Sequence, residues 1–371
     1  MIKIAIVHEW FTTWSGSEAV LEQILFCFPD ADLFALSHCP DAEGVKRLAG
    51  RQVKTSFIQK LPFGRKHPQF WLPILPLAIE RLDLSGYDIV ISNSHCVAKG
   101  VIVPPHCMHI AYVHSPARYA WDMRLEYQRR IPMLLRPLWA WAMHRLRAWD
   151  SESSRRPDAL ACNSAYIARR IEHVWRRPAE VIHPPVDVAE FTLGGERDDV
   201  FVAASRMVGY KKMPMIAQAF AEMPSRRLRI IGDGPDMKKI RAIAQRAPNI
   251  EVLGRVDRAV LIGELQRARA FIFAAEEDFG IAPVEAMSCG TPVIAFERGG
   301  VTESVVNGVT GIFFPDQSVE SLKMAVANFS ALPHFAADIC RRRAMDFAPQ
   351  IFRSKFIDFV DSCKSDSGDP A

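Results

Sequence analysis

The stretch AFIFAAEEDFGIAPVEAMSCGTPVIAF, residues 270–296, reads as strand, turn, helix and strand without interruption. Its flanking runs, AFIFAA (270–275) and PVIAF (292–296), are short and almost wholly apolar, as strands buried in a parallel sheet are. Between them the chain turns through Glu276, Glu277, Asp278, Phe279 and Gly280. Pro283 fits the first position of a helix and Gly290 its end. Glu285 then falls in the first helical turn, where an acid is stabilised by about 0.3–1 kcal/mol with no function attached. Glu277 lies before the turn, at the carboxyl end of a strand, and Glu276 and Asp278 read as solvent-facing neighbours. One acid on each side of the amides of Phe279, Gly280 and Ile281 can grip a polyhydroxylated ligand at two points.

The same alternation extends outward. VFVAAS (200–205), LRIIGD (228–233) and IEVLG (250–254) read as strands, with helical patterns at 213–223, 235–246 and 257–269. An earlier series holds KIAIVH (3–8), DIVISN (88–93), MHIAYVH (108–114) and ALACNS (159–164). Strand–helix alternation run twice is an α/β chain with two doubly wound parallel sheets. The double proline in VIHPPVDVAEF (181–191) suits a hinge. The expected domains are 1–185, 186–348, and a last helix with polar tail, 349–371, crossing back to the first. Such sheets present the carboxyl ends of their strands to a shared cleft, where ligands bind.

Bulk properties agree with this size. The chain has 371 residues, 49% apolar and 24% charged, enough core for two domains. Only the tail SDSGDPA reads as disordered. Through Asp187 there are 23 Lys and Arg against 18 Asp and Glu; the remainder has 23 against 24. That modest basic excess suits phosphates or anionic lipid, or a solvated face, and not a nucleic-acid module. The eight cysteines include no Cys-x-x-Cys, and Cys27, Cys162 and Cys289 read as reduced thiols of a cytosolic protein. His95, Cys96, His106, Cys107, His109 and His114 cluster in sequence, but their spacing is irregular for zinc. No signal peptide is expected from MIKIAIVHEW, and no apolar run reaches the ~18–20 residues of a membrane span.

Two places suit phosphate. The first strand runs into HEWFTTWSGSEAVLEQILF, where Ser15 and Glu18 fit a capping box and Gly16 admits close approach. A helix start after a first strand is an anion site by geometry, though a plain cap explains it equally well. It is not the dinucleotide fingerprint, which needs three glycines. In AASRMVGYKKMP, Arg206 and Lys211 flank a short loop after a strand. They suit a diphosphate, at about 1.5–3 kcal/mol per charge-assisted bond; two surface cations fit the same residues.

Arg206, Lys211, the GDGP turn at 232–235, Glu277 with Glu285, and Gly-x-x-Glu at 300–303 together resemble retaining glycosyltransferases of family 4. The context DFGIAPVEAMSCGTPVIA carries most of the likeness. The segment YVHSPARYAWD (112–122) narrows it to bacterial mannosyltransferases building O-antigen and exopolysaccharide repeats. The resemblance implies the GT-B fold: two Rossmann-like domains with the donor in the cleft. It implies that Arg206 and Lys211 bind the donor diphosphate and stabilise the leaving nucleotide. Glu285 would hold the ribose hydroxyls, and Glu277 the transferred sugar, helped by the amides of Phe279, Gly280 and Ile281. His114 would reach the sugar's primary hydroxyl and the acceptor oxygen; taken without the family it is as readily a hydrogen-bonded core residue. Gly16 would let the donor phosphates or the acceptor come close, although Ser15–Gly16–Ser17 departs from the paired glycines of many members. His95 in NSHCVAKG, with Arg118 and Asp122, is placed on the acceptor side, and Asp122 equally fits a role orienting Arg118.

No cofactor and no metal are expected. The Asp-x-Asp at 30–32 follows a helix and reads as a turn. Charge on the leaving diphosphate would be met by Arg206, Lys211 and helix N-termini. The family implies retention of configuration by front-face departure and attack, without a protein nucleophile. Residues 129–149, RRIPMLLRPLWAWAMHRLRAW, carry five arginines and three tryptophans and no acid, which suits an anionic bilayer surface. FIQKLPFGRKHPQFWLPILP (57–76) is a second such stretch. A core helix with a solvated arginine face is the alternative. A lipid-linked oligosaccharide acceptor, at the inner face of the cell membrane, accounts for both stretches. The expected activity is transfer of mannose from GDP-mannose in cell-surface polysaccharide synthesis, or of a sugar from a UDP donor. A hydrolase or phosphorylase using paired carboxylates is a further reading, but the cations have no task in simple hydrolysis; a non-catalytic nucleotide-sugar binder is the third.

Overall fold

The computed structural model describes residues 2–129, 131–332 and 335–366. Arg130 and residues 367–371 of the polar tail therefore lie outside the described residues. The chain divides into two compact units, Met1–Pro185 with Phe352–Ala371, and Val186–Ile351.

The first unit is built on β1 (Ile4–Phe11), β2 (Asp32–His38), β3 (Val53–Thr55), β4 (Ile89–Ser94), β5 (Met108–Val113), β6 (Ala159–Cys162) and β7 (Glu180–Val181). All pair in parallel, in the order β3-β2-β1-β4-β5-β6-β7. The strand order reverses between β1 and β4, which makes a gap for ligands at their carboxyl ends. His8 of β1 lies beside Asn93 of β4, and Asn93 beside Tyr112 of β5. One face of the sheet is covered by the helix Gly16–Cys27 and by the last helix, Pro349–Asp366, whose Phe352, Phe356 and Val360 join its core. The other face holds a core that includes Ala142, Met143 and Leu146 of the helix Arg136–Ser153.

The second unit holds β8 (Val200–Ala204), β9 (Arg227–Ile231), β10 (Ile250–Gly254), β11 (Ala270–Phe273), β12 (Val293–Phe296) and β13 (Gly311–Phe314). They are again all parallel, ordered β10-β9-β8-β11-β12-β13, with the reversal between β8 and β11. Helices Met213–Ala221, Met237–Ala244 and Arg258–Arg267 fall where the periodicity places them, one or two residues shorter at their ends.

Four strands escape the sequence reading. β3 and β7 are very short edge strands, β13 is four residues, and β2 begins at Asp32. The Asp-x-Asp at 30–32 is thus a turn only at its start; its second aspartate opens a strand.

Candidate functional site

In the second unit, β8 leads into the loop carrying Arg206. The GDGP turn lies directly against that loop. Met207 N–H donates to Asp233 O (2.8 Å), and Asp236 N–H to Met207 O (3.0 Å). Gly232 has φ +127°, and a Cβ there would fall 1.9 Å from Ser205 O, so only glycine permits the contact. Arg206 is exposed, its Nη2 3.4 Å from Tyr210 Oη. Lys211 ends a short 3-10 turn, Gly209–Lys211, and its ammonium bonds the carboxylate of Glu277. The pairing neutralises one of the two expected phosphate cations.

Glu277 follows β11, and its backbone is seated by a second glycine pair. Gly300 N–H donates to Glu277 O (2.9 Å), and a Cβ on Gly299 would lie 2.4 Å from the same oxygen. Glu276 and Asp278 are half-buried rather than fully solvent-facing, and Gly300 sits directly against the Asp278 carbonyl. The next helix runs Ile281–Ser288 from Gly280, whose φ is +92°. Pro283 is therefore the third helical residue, not the first, and Glu285 lies past the first turn. Pro283 loses nothing there, since the first N–H groups of a helix have no internal partner. Gly290, at φ +82°, does stand just past the helix end.

Glu285 lines a cavity of about 290 Å³ with Ala204, Ser205, Gly232, Arg255 and Val256. Burial pushes its carboxyl up to about 7; Arg258 opposes this, while Glu190 and Asp187 add to it. Arg258 Nη1 lies 3.8 Å from Glu285 Oε1, and Arg258 Nε bonds Glu190 Oε2 at 2.5 Å. Arg258, Glu190 and Arg255 were not legible in the sequence: each is an ordinary surface-type residue until the fold brings it to Glu285.

In the first unit a buried polar chain crosses the reversal between β1 and β4. His8 Nε2 meets Glu18 Oε1 at 3.2 Å. Burial alone would raise Glu18; the hydrogen bond and charge of His8, with the Ser15 hydroxyl, more than offset it and hold the carboxyl near 2. Glu18 Oε2 accepts from Ser15 N–H (3.1 Å) and from the Ser15 and Ser17 hydroxyls (2.7 and 2.9 Å). The Ser15 hydroxyl thus serves Glu18, and Gly16 is the first helical residue of Gly16–Cys27. His114, just after β5, places Nε2 2.7 Å from Asn93 Oδ1. Burial, and the neighbouring His95, lower its pKa to about 3.

His95 sits differently. Its Nδ1 is 3.0 Å from Glu9 Oε2. Glu9 is fully buried, and its Oε1 accepts from the N–H groups of His95, Cys96, Val97 and Ala98 at 2.7–3.0 Å. Burial would raise this carboxyl, but His95, His8 and the Ala98 amide hold it well below the ordinary range. Glu9 escaped the sequence reading because its partners lie 85 residues and more away. Asp122 pairs more closely with Arg170 (2.5 Å) than with Arg118 (3.7 Å). The histidine and cysteine patch is dispersed: His109 Nε2 lies 3.0 Å from Ser92 Oγ, and Cys96 Sγ 2.6 Å from Tyr119 Oη. Among the described residues no group of three or more His, Cys, Asp or Glu could hold a metal ion.

Two family profiles divide the chain near its double proline. Residues 14–190 match "Glycosyltransferase Family 4" and residues 190–344 match "Glycosyl transferases group 1". The chain belongs to the family 4 glycosyltransferases. Its two Rossmann-like units are those of the GT-B fold. Among solved structures, this glycosyltransferase resembles Anabaena HepE in complex with UDP-glucose, with TM-score 0.70 and 16% identity over 98% of this chain and 100% of that one. The alpha-1,3/1,6-mannosyltransferase alg-2 of Neurospora crassa is 26% identical over 231 residues, 47% of this chain and 49% of the relative. A GDP-mannose-dependent phosphatidylinositol monomannoside mannosyltransferase of Mycolicibacterium smegmatis is 31% identical over 156 residues, 37% of this chain and 40% of the relative. The chain spans about half the length of the first curated relatives it matches.

Proposed function

We propose that the protein is a retaining, metal-independent glycosyltransferase that moves mannose from GDP-mannose to a lipid-linked oligosaccharide in cell-surface polysaccharide synthesis. The observation that carries the reading is the second unit's constellation: Arg206, Lys211 and Glu277 at the strand reversal, with Glu285 in the adjoining cavity. In this reading Arg206 and Lys211 meet the diphosphate, and donor binding draws Lys211 from Glu277, freeing that carboxylate for the sugar. The amides of Phe279, Gly280 and Ile281 assist, and Glu285 takes the ribose. His114, with His95, Arg118, Asp122 and Gly16, serves the acceptor side. Mannose is favoured because two relatives are named mannosyltransferases; HepE with UDP-glucose supports a UDP donor as the alternative.

The test is nucleotide release from GDP-, UDP- and ADP-sugars, with and without a lipid-linked acceptor, and with EDTA. Turnover with GDP-mannose alone, unchanged by EDTA, is expected. Glu277→Ala should lose turnover while still binding nucleotide, and Glu285→Ala should weaken nucleotide binding. Normal binding and turnover in both variants would overturn the assignment.

Contact with an anionic membrane belongs to the same reading. Met133, Leu134, Leu135, Leu138 and Trp141 are all more than half exposed, and so are Phe63 and Phe70 of the second stretch. Arg129 and Arg145 are exposed beside the first group. No helix among the described residues is long and apolar enough to cross a membrane. Each basic residue near an anionic surface contributes about 1 kcal/mol. Replacing Arg129, Arg130 and Arg136 should therefore weaken binding to anionic vesicles roughly a hundredfold at low salt. Unchanged vesicle binding would remove the membrane from the reading.

A further inference from the structure

The buried chain in the first unit contains a residue whose side-chain amide can be oriented in only one way. Asn93 lies beside His8 in the β1–β4 register, and its side-chain amide touches three groups. One amide atom is 2.9 Å from the backbone carbonyl of Ser17, which can only accept. That atom must be the NH2 nitrogen. The same nitrogen is 3.2 Å from His8 Nδ1, while His8 Nε2 faces the Glu18 carboxylate. The opposite atom, Oδ1, is thereby an acceptor, and it lies 2.7 Å from His114 Nε2. His114 Nε2 must carry the hydrogen, which leaves the lone pair on Nδ1.

We propose that Asn93 is a positioning residue: it holds His114 as the Nε2–H tautomer, with Nδ1 presented as the proton acceptor, and anchors the first turn of the helix Gly16–Cys27 to the same point through the Ser17 carbonyl. The geometry is reinforced on every side. The His114 ring packs against Tyr112 at 5.2 Å. Its own N–H donates to Ser94 O (2.8 Å), and its carbonyl accepts from Asn163 Nδ2 (3.0 Å). The charged and titratable groups around it are His8, Glu9, Glu18 and His95. Burial keeps the ring neutral, as a proton acceptor must be. The proposal rests on the transferase reading only in giving His114 a substrate hydroxyl to meet.

The test is 15N NMR of the histidine-labelled full chain, with His114 assigned by loss of its signals in His114→Gln. Wild type should show His114 with Nε2 protonated and Nδ1 unprotonated, titrating far below pH 6. Asn93→Asp keeps an acceptor at Nε2 but adds a negative charge, so the tautomer should persist and the titration should move up by at least one pH unit. Asn93→Ser should mix the two tautomers. In transfer assays it should lower kcat roughly ten- to hundredfold, leaving KM for the donor unchanged. His109, held separately by Ser92, reports in the same spectra that each variant is folded. A wild-type His114 protonated on Nδ1 would overturn the proposal, even if every variant unfolded. So would an unshifted titration in Asn93→Asp, or an unmixed tautomer in Asn93→Ser. The spectra need neither donor nor acceptor: absent transfer with the expected tautomer would count against the transferase reading and leave Asn93's role standing.

Discussion

Glu285 is a carboxyl that folding makes harder to ionise. Between its ordinary value of 4.5 and the folded value of about 7, the native chain binds a proton that the unfolded chain has released. Stability on this account is highest at acid pH and falls as pH rises through that window. Glu285→Gln removes the penalty. At pH 8 it should be more stable than wild type by roughly 1–3 kcal/mol, and near pH 4 the two should converge. Urea unfolding of the free protein at both pH values measures this; an equal offset at both would assign the gain to packing. The two glutamates and two cations of the second unit were all legible as residues, because strand-end acids and basic loops follow from local pattern. Their pairing was not: 66 residues separate Lys211 from Glu277.

The helix Arg136–Ser153 is buried at one end and apolar on the outside at the other. Its inner end is held by a fully buried ion pair, Lys99 Nζ to Asp150 Oδ1 at 2.7 Å. Trp121 and Trp175 each donate an indole N–H to Asp150 Oδ2 at 2.8 Å. The Trp175 ring lies 4.7 Å from the ammonium. Removing one partner strands a buried charge and two indole donors. Asp150→Ala should therefore cost about 3–5 kcal/mol. The double variant Lys99→Met/Asp150→Leu should recover much of that loss, as chemical denaturation would show. If the double variant were as unstable as the single one, the ion pair would be irreplaceable for reasons other than desolvation. The sequence shows this helix as basic and aromatic; the fold gives it a core face at Ala142, Met143 and Leu146 and leaves apolar residues exposed at its start. Periodicity could not divide them, because the apolar residues surround the helix on more than one side.

For the whole chain, the last helix decides whether the first unit closes its core. Phe352, Phe356 and Val360 are at most 2% exposed. Burying each contributes about 1.5–3 kcal/mol, a sum comparable with the roughly 5–15 kcal/mol that holds a domain folded. A chain ending at Ile351 should lose cooperative unfolding of the first unit, seen as protease sensitivity confined to residues before Pro185. Arg342→Ala, which breaks a well-exposed pair with Asp338, should change stability by less than about 0.5 kcal/mol.

The sequence by itself determined the α/β class, the double series of strands, the prolines where the two units divide and the acids and cations of the second unit, because each is written in short-range periodicity, turn chemistry or a contiguous motif. Only the tertiary structure decided which residues meet. Strand order placed β1 beside β4 and β8 beside β11, and that adjacency assembled His8 with Asn93 and His114, Glu9 with the 95–98 amides, and Arg258 with Glu285. A parallel strand must return through a crossover before it can pair, so its neighbours lie tens of residues away, beyond the reach of any local pattern.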